Sequence, residues 1–225
     1  DYNTAVGMNA LTADTLGSRN TAVGYNSLAT QNFTSATNSN NTALGYVSGS
    51  GITTAQENTL IGARAGMAIT DSNDNVAVGY KALENETRGS RNTAIGHDAL
   101  GTQNTTSSTA IYNTAVGHTA GTSITTGVQN TLIGGLAGDA LTDADYNVAV
   151  GKGALETDTQ GSRSTAVGYS ALASQNFSSA ANSGNSAFGY NSGGSFTTGI
   201  QNTTVGSLSG DALTDADRNT VLGYQ

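Results

Sequence analysis

"NTAVGYNSLA", residues 20–29, decides the reading of this chain, because near copies of it return throughout. NTAIGHDAL begins at Asn92, NTAVGHTAG at Asn113 and STAVGYSALA at Ser164. Aligned on Asn or Ser, two residues, a bulky apolar residue and Gly, the phrase starts at 3, 20, 41, 58, 75, 92, 113, 130, 147, 164, 185, 202 and 219. The steps run 17, 21, 17, 17 three times over, so four units make a 72-residue superrepeat. Self-similarity of this kind marks a solenoid or an array. The whole chain, 1–225, reads as one repetitive segment with superrepeats at 20–91, 92–163 and, incompletely, 164–225.

Numbering the leading Asn as position one gives each column a physical meaning. Position one is Asn everywhere except Ser164, and position five is always Gly, as at Asn20 and Gly24, Asn92 and Gly96, Asn113 and Gly117. An invariant Gly calls for positive φ or for an approach too close for a Cβ. An Asn in every unit predicts amides stacked coil on coil, each bonding the next. Thr-Ala-Val predicts a short strand with β-branched residues on one face and a small one on the other. Seventeen residues hold two short strands and two turns but not a strand plus a helix. The expected fold is therefore all-β: a parallel β-solenoid, or β-roll, of about thirteen 17- or 21-residue coils. At about 4.8 Å per coil, they would make a rod roughly 60 Å long.

Composition agrees with a backbone-dominated fold. Thirty Gly, no Pro, no Trp and four Phe leave few large apolar side chains. There is no Cys, so neither disulfides nor thiolate metal sites are available. A net charge of −8 argues against nucleic acid, which wants a basic footprint. No stretch is long and apolar enough to predict membrane insertion. Asp1 opens inside one copy of the phrase and Gln225 closes inside another, so the chain is expected to be cut from a longer fibre. The visible core is thin, one bulky residue at position four and, in half the units, a Leu at position nine. The small residues at positions three and eight then suit close packing of one chain against another, and several chains are expected side by side.

The phrase NTAVGYxAL, with Asn-Thr between copies, resembles the head repeats of trimeric autotransporter adhesins. It also resembles phage tail-fibre repeats of the GSRNTAVGYNSL type. The resemblance covers nearly the whole chain. It implies a homotrimer, a parallel β-roll, and a place outside the cell: on a virion as a tail fibre, or on a bacterial surface. Coils of 17 and 21 residues depart from the shorter adhesin unit.

Candidate sites follow from the columns. All nine Tyr fall at position six or just before the leading Asn, the latter being Tyr2, Tyr112 and Tyr146. Position six also holds the only histidines, His97 and His118, in neighbouring units. A trimer would present them as two layers of imidazoles, a candidate transition-metal site if they face the axis; the competing reading is an aromatic stripe in which His replaces Tyr. Asp139, Asp143 and Asp145, three carboxylates within seven residues, could hold calcium, but solvated acidic turns fit them better. Arg19, Arg91 and Arg163 precede a leading Asn or Ser, and read as bridges between coils or as part of a glycan-binding stripe with the three tyrosines. The four extra residues of the 21-residue units should form loops, placing Phe33 and Phe177 as candidate ligand contacts. Catalysis is not expected: Asp98 follows His97 directly and on a strand would point the other way. No cofactor is expected either.

The function that this pattern implies is a structural and adhesive fibre segment, a phage tail-fibre shaft or receptor-binding region for host attachment. Its partners would be two further copies of itself and a cell-surface glycan or protein receptor. The alternatives are the head of a bacterial trimeric surface adhesin, then an ice-binding solenoid or a glycan-cleaving tailspike.

Overall fold

The computed structural model describes residues 2–225, and it is all-β with no helix among them. No helix among these residues is therefore long and apolar enough to cross a membrane. The chain forms two compact units, the first ending at Tyr112 and the second beginning at Asn113. Each unit is a parallel β-solenoid with one three-residue strand per coil.

The first unit stacks the strands Thr4–Val6, Thr21–Val23, Thr42–Leu44, Thr59–Ile61, Val76–Val78 and Thr93–Ile95 in that order. The second stacks Thr114–Val116, Thr131–Ile133, Val148–Val150, Thr165–Val167, Ser186–Phe188, Thr203–Val205 and Thr220–Leu222. Equivalent residues pair throughout: Thr4 with Thr21, Ala22 with Ala43, Val23 with Leu44. The thirteen coils are those that the repeat phrase marks.

The strand faces are sorted as alternation requires, but the core lies on the side opposite to the expected one. Position three points inward: Ala22, Ala43, Leu60, Ala115 and Leu132 are fully buried. Position four points outward, with Leu44, Ile61, Ile133 and Phe188 all exposed. A coil this short encloses a narrow interior that an Ala or Ser fills, so the small residues pack within one chain. At position eight, Ser27 and Ser48 are buried, and their hydroxyls donate to the carbonyls of Ala43 (2.9 Å) and Leu60 (2.8 Å) on the next coil.

A second inner column, at position twelve, completes the core. Where position nine is Gly, position twelve is apolar: Ile52, Ile69, Ile124, Leu141 and Phe196, all buried. A Cβ on Gly49 would stand 2.7 Å from the Leu60 side chain, so the larger neighbours occupy that space. Where position nine is Leu, as at Leu28, Leu83, Leu100, Leu155 and Leu172, position twelve is an acid or Gln. Leu28 takes φ 50° to reach the interior. The left-handed conformation costs about 1–2 kcal/mol, and full burial of a Leu returns about 1.5–3 kcal/mol.

The Asn ladder runs as predicted. Asn58 donates its backbone N–H to Asn41 Oδ1 at 3.0 Å, Asn75 donates likewise to Asn58 (3.0 Å) and Asn92 to Asn75 (3.0 Å). Asn20 caps the backbone of Asn41 (3.0 Å), and Asn113 that of Asn130 (2.8 Å). These amides are buried, so each rung satisfies polar groups that water cannot reach. The Gly column meets both expectations at once. Gly24 has φ 136°, and a Cβ there would stand 2.3 Å from the Gly45 carbonyl oxygen; Gly96 and Gly117 share the conformation.

The second strand expected in every coil forms only around the longer units. Gly17–Ser18 pairs with Thr37–Asn38, Gly89–Ser90 with Thr109–Ala110, and Gly161–Ser162 with Ala181–Asn182. Elsewhere on that side, side chains replace the ladder: Asn73 Oδ1 accepts from Gln56 N–H, Asp145 Oδ1 from Val128 N–H and Asp217 Oδ1 from Ile200 N–H, each at 2.8 Å.

Candidate functional site

Three columns face outward. The first is the position-four ridge, an unbroken series of Val, Leu, Ile and Phe within each unit. The second, just past the Gly, is aromatic. Tyr25 and Tyr46 stack at 5.5 Å with planes 11° apart, and Tyr169 and Tyr190 at 5.4 Å and 9°. Tyr80 packs against His97 at 5.3 Å. Lys152 Nζ lies 5.4 Å from the Tyr169 ring centroid, within cation–π range.

His97 belongs to the first unit and His118 to the second. Asp98 has φ 53° in a turn rather than a strand, and its carboxylate therefore comes to the side of its neighbour, 3.3 Å from His97 Nδ1. That corrects the expectation that the two side chains diverge. Among the described residues, no group of three or more His, Cys, Asp or Glu comes together as a metal-binding set.

The third column is the residue before each leading Asn, held at positive φ in every coil, for instance 66° at Arg91, 60° at Tyr112 and 62° at Tyr146. The left-handed backbone throws these side chains into solvent, and Tyr2, Tyr112 and Tyr146 are all exposed. Arg91 Nη1 donates to the Tyr112 hydroxyl at 2.8 Å, and the guanidinium lies 5.5 Å from that ring's centroid. Arg91 Nε lies 3.5 Å from Asp74 Oδ2. The hydrogen bond to Tyr112, and after it the Asp74 charge, hold the Arg91 pKa above its ordinary value. The Arg163 guanidinium lies 5.7 Å from the ring centroid of Tyr146, here on the preceding coil. Arginine and tyrosine thus form two pairs along this edge, Arg91 with Tyr112 and Arg163 with Tyr146.

The loops of the 21-residue coils are anchored from inside. Phe33 and Phe177 are buried, 6% and 8% exposed, so their rings hold the loops down and offer no outward contact. Beneath them lies a feature that the sequence reading missed, a carboxylate at position twelve of the preceding coil. Glu86, fully buried, accepts N–H bonds from Arg88 (2.9 Å), Gly89 (2.7 Å) and Thr105 (3.1 Å). It also accepts from the Thr105 hydroxyl (2.8 Å) and the Gln103 amide (2.7 Å). Asp14 and Asp158 stand 72 residues to either side and take the same role with Gln31 and Gln175. Two of the Gln–acid pairs link onward to the next Asn: Gln31 Oε1 accepts from Asn41 Nδ2 at 2.9 Å, and Gln175 Oε1 from Asn185 Nδ2 at 2.7 Å. The signal was present in sequence as Asp14, Glu86 and Asp158 at a spacing of 72.

The acidic turns divide into two kinds. In the first unit the Arg64 guanidinium rests on Glu84, and Lys81 Nζ lies 3.6 Å from it. Seventy-two residues on, Glu156 has Leu136 and Gly153 in their places, and Asp139 stands where Met67 was. Burial, then the neighbouring Glu156, raises the Asp139 pKa, and Asp139 Oδ1 is buried with no hydrogen-bond partner. Asp145, by contrast, is engaged in holding the coil above it.

No protein-family model, curated protein or solved structure matches the chain. The reading of its function therefore rests on the surfaces above.

Proposed function

We propose that this chain is a segment of a trimeric adhesive fibre, a phage tail-fibre shaft or receptor-binding region outside the cell. The observation that supports this best is the position-four ridge. The interior of each unit is filled without it, yet every coil places a bulky apolar residue outside, in register with the next. A soluble monomer rarely displays so continuous an apolar strip, and burial against neighbouring copies removes it from water. At about 25 cal/mol per Å² of apolar surface covered, the strip is a natural contact between chains. Identical coils then multiply weak contacts, both between chains and toward a receptor.

The test is the mass of the native particle by native mass spectrometry. Three chains per particle are expected, and Ile61→Ser with Ile133→Ser should shift the particle toward single folded chains. A folded monomer at micromolar concentration would overturn the fibre reading. The same coils on a bacterial surface adhesin would give the same mass.

A further inference from the structure

A groove of about 190 Å³ opens in the first unit between the turn carrying Asp71, Asn73 and Asp74 and the short strand pair that ends at Ser90. Arg91 forms one side and residues 108–110 of the long coil the other. The frame is rigid on chemical grounds: Asn73 N–H donates to Ser90 Oγ at 3.0 Å, Arg91 N–H to the Asn73 carbonyl at 3.1 Å, and Gln56 N–H to Asn73 Oδ1. The functional groups around it are planar and polar. Asp71 and Asp74 are about one-third exposed, at 34% and 40%, and are held only loosely, by Arg88 at 3.7 Å and Arg91 at 3.5 Å. Each carboxylate thus has a guanidinium beside it, Arg88 lying outside the groove and Arg91 on its wall. Tyr112, joined to Arg91, puts an aromatic surface at its rim.

Carboxylates and a guanidinium set on a rigid backbone frame suit one ligand chemistry above others. Adjacent hydroxyls of a sugar donate to a carboxylate and accept from a guanidinium, and an aromatic ring covers the apolar C–H face. The dimensions admit one ring, not a chain lying lengthwise. The second unit repeats the backbone of the frame, with Asp145 N–H donating to Ser162 Oγ (2.9 Å) and Arg163 N–H to the Asp145 carbonyl (3.0 Å), but there Tyr146 stands in the place of Asp74 and Gly184 in that of Tyr112. We propose that the Asp71–Asp74–Arg91–Tyr112 groove binds one uncharged pyranose residue of a surface glycan, and that Arg163 with Tyr146 offers a related edge that lacks the Asp74 carboxylate. This rests on the adhesive reading above and names the ligand of that surface.

The experiment is saturation-transfer difference NMR on the whole chain, with the methyl glycosides of glucose, galactose, mannose and N-acetylglucosamine in turn, and N-acetylneuraminic acid as a charged probe. At least one neutral glycoside should receive saturation. Its signal should fall at least fivefold in a variant carrying Arg91→Asn, Tyr112→Asn, Arg163→Asn and Tyr146→Asn; Asn tolerates the positive φ at all four positions, so folding, checked by circular dichroism, is kept. Asp74→Asn should weaken the signal further in the Arg163→Asn, Tyr146→Asn background, where only the first groove remains. No transfer from any neutral glycoside, transfer unchanged in the fourfold variant, or preference for N-acetylneuraminic acid would each overturn the proposal. The same sample's native mass separates the two readings: three chains without sugar binding remove only this site, and sugar binding by a monomer removes only the fibre.

Discussion

Two kinds of coil share one backbone. In coils with Gly at position nine, the interior is closed by Ile52, Ile69, Ile124 or Leu141. In coils with Leu at position nine, position twelve instead carries a carboxylate or a Gln, as in Glu86 over Gln103. The apolar version needs nothing from its surroundings. The polar version needs five donors on Glu86, and those donors come from the turn of its own coil and from the long loop beneath it. The difference teaches that the carboxylate is the anchor for the extra residues, and the lengthening of a coil and the acid one coil above it are a single feature.

The comparison breaks most severely if the polar pair is moved. Ile52→Asp with Ile69→Gln puts a carboxylate where no loop supplies donors. An unpaired buried polar group costs several kcal/mol, so loss of the cooperative transition in urea, or its midpoint falling below that of any other variant, is expected. Removing the anchor from its proper place should cost less. Glu86→Gln keeps the shape but aims an amide N–H at donors, and about 2–3 kcal/mol should be lost by urea denaturation. Limited proteolysis should then cut first within 101–110.

The third prediction concerns volume. Glu86 lies against Thr105, whereas Asp14 and Asp158 lie with Phe33 and Phe177, so a longer acid goes with a smaller neighbour. Thr105→Phe alone should overpack the site and cost about 1–3 kcal/mol. Adding Glu86→Asp should recover most of that loss, a coupling that a double-mutant cycle reads directly. Equal losses in the single and double variants would sink the argument.

The smallest effect belongs to the acidic rim. Asp139 has a raised pKa in the folded chain, so its ionised form is the one that folding disfavours. Its contribution is favourable below the ordinary value of 3.8 and is lost as pH climbs through the raised one. Asp139→Asn should therefore raise the melting temperature at pH 7, by about 1–2 °C, and the gain should vanish near pH 3. Leu136→Arg, which restores the partner that Glu84 has in Arg64, should act in the same direction and fade in high salt.

Much of this was legible in the letters. The Gly column is invariant, and the Asn column nearly so with Ser164 its one exception, because each must meet its own copy on the next coil, and that demand gave the coils, their parallel order and their register. Sequence reasoning put the wrong face inside because bulky apolar residues usually mark a core. Here the coil is too narrow, and Ala22 and Ala43 take the place expected for Val23 and Leu44. Position twelve escaped notice because its occupants, Asp14, Gln31, Ile52 and Ile69, share no chemistry and reveal their rule only against position nine. Of the groove, Arg91 and Tyr112 stood out by their column. Asp71 and Asp74 did not, since only the stacking of coils brings an acidic turn beside an arginine 17 residues later.

One consequence of the in-register stacking concerns how the molecule comes to be folded. Within each unit a strand pairs only with residues 17 or 21 positions away. Every added coil thus closes a loop of nearly the same length and gains nearly the same contacts, and the entropy of closure never grows as the structure lengthens. Assembly can start at any adjacent pair and spread outward like a zipper. Pulled from its ends, such a chain should yield in steps of whole coils rather than in one collapse.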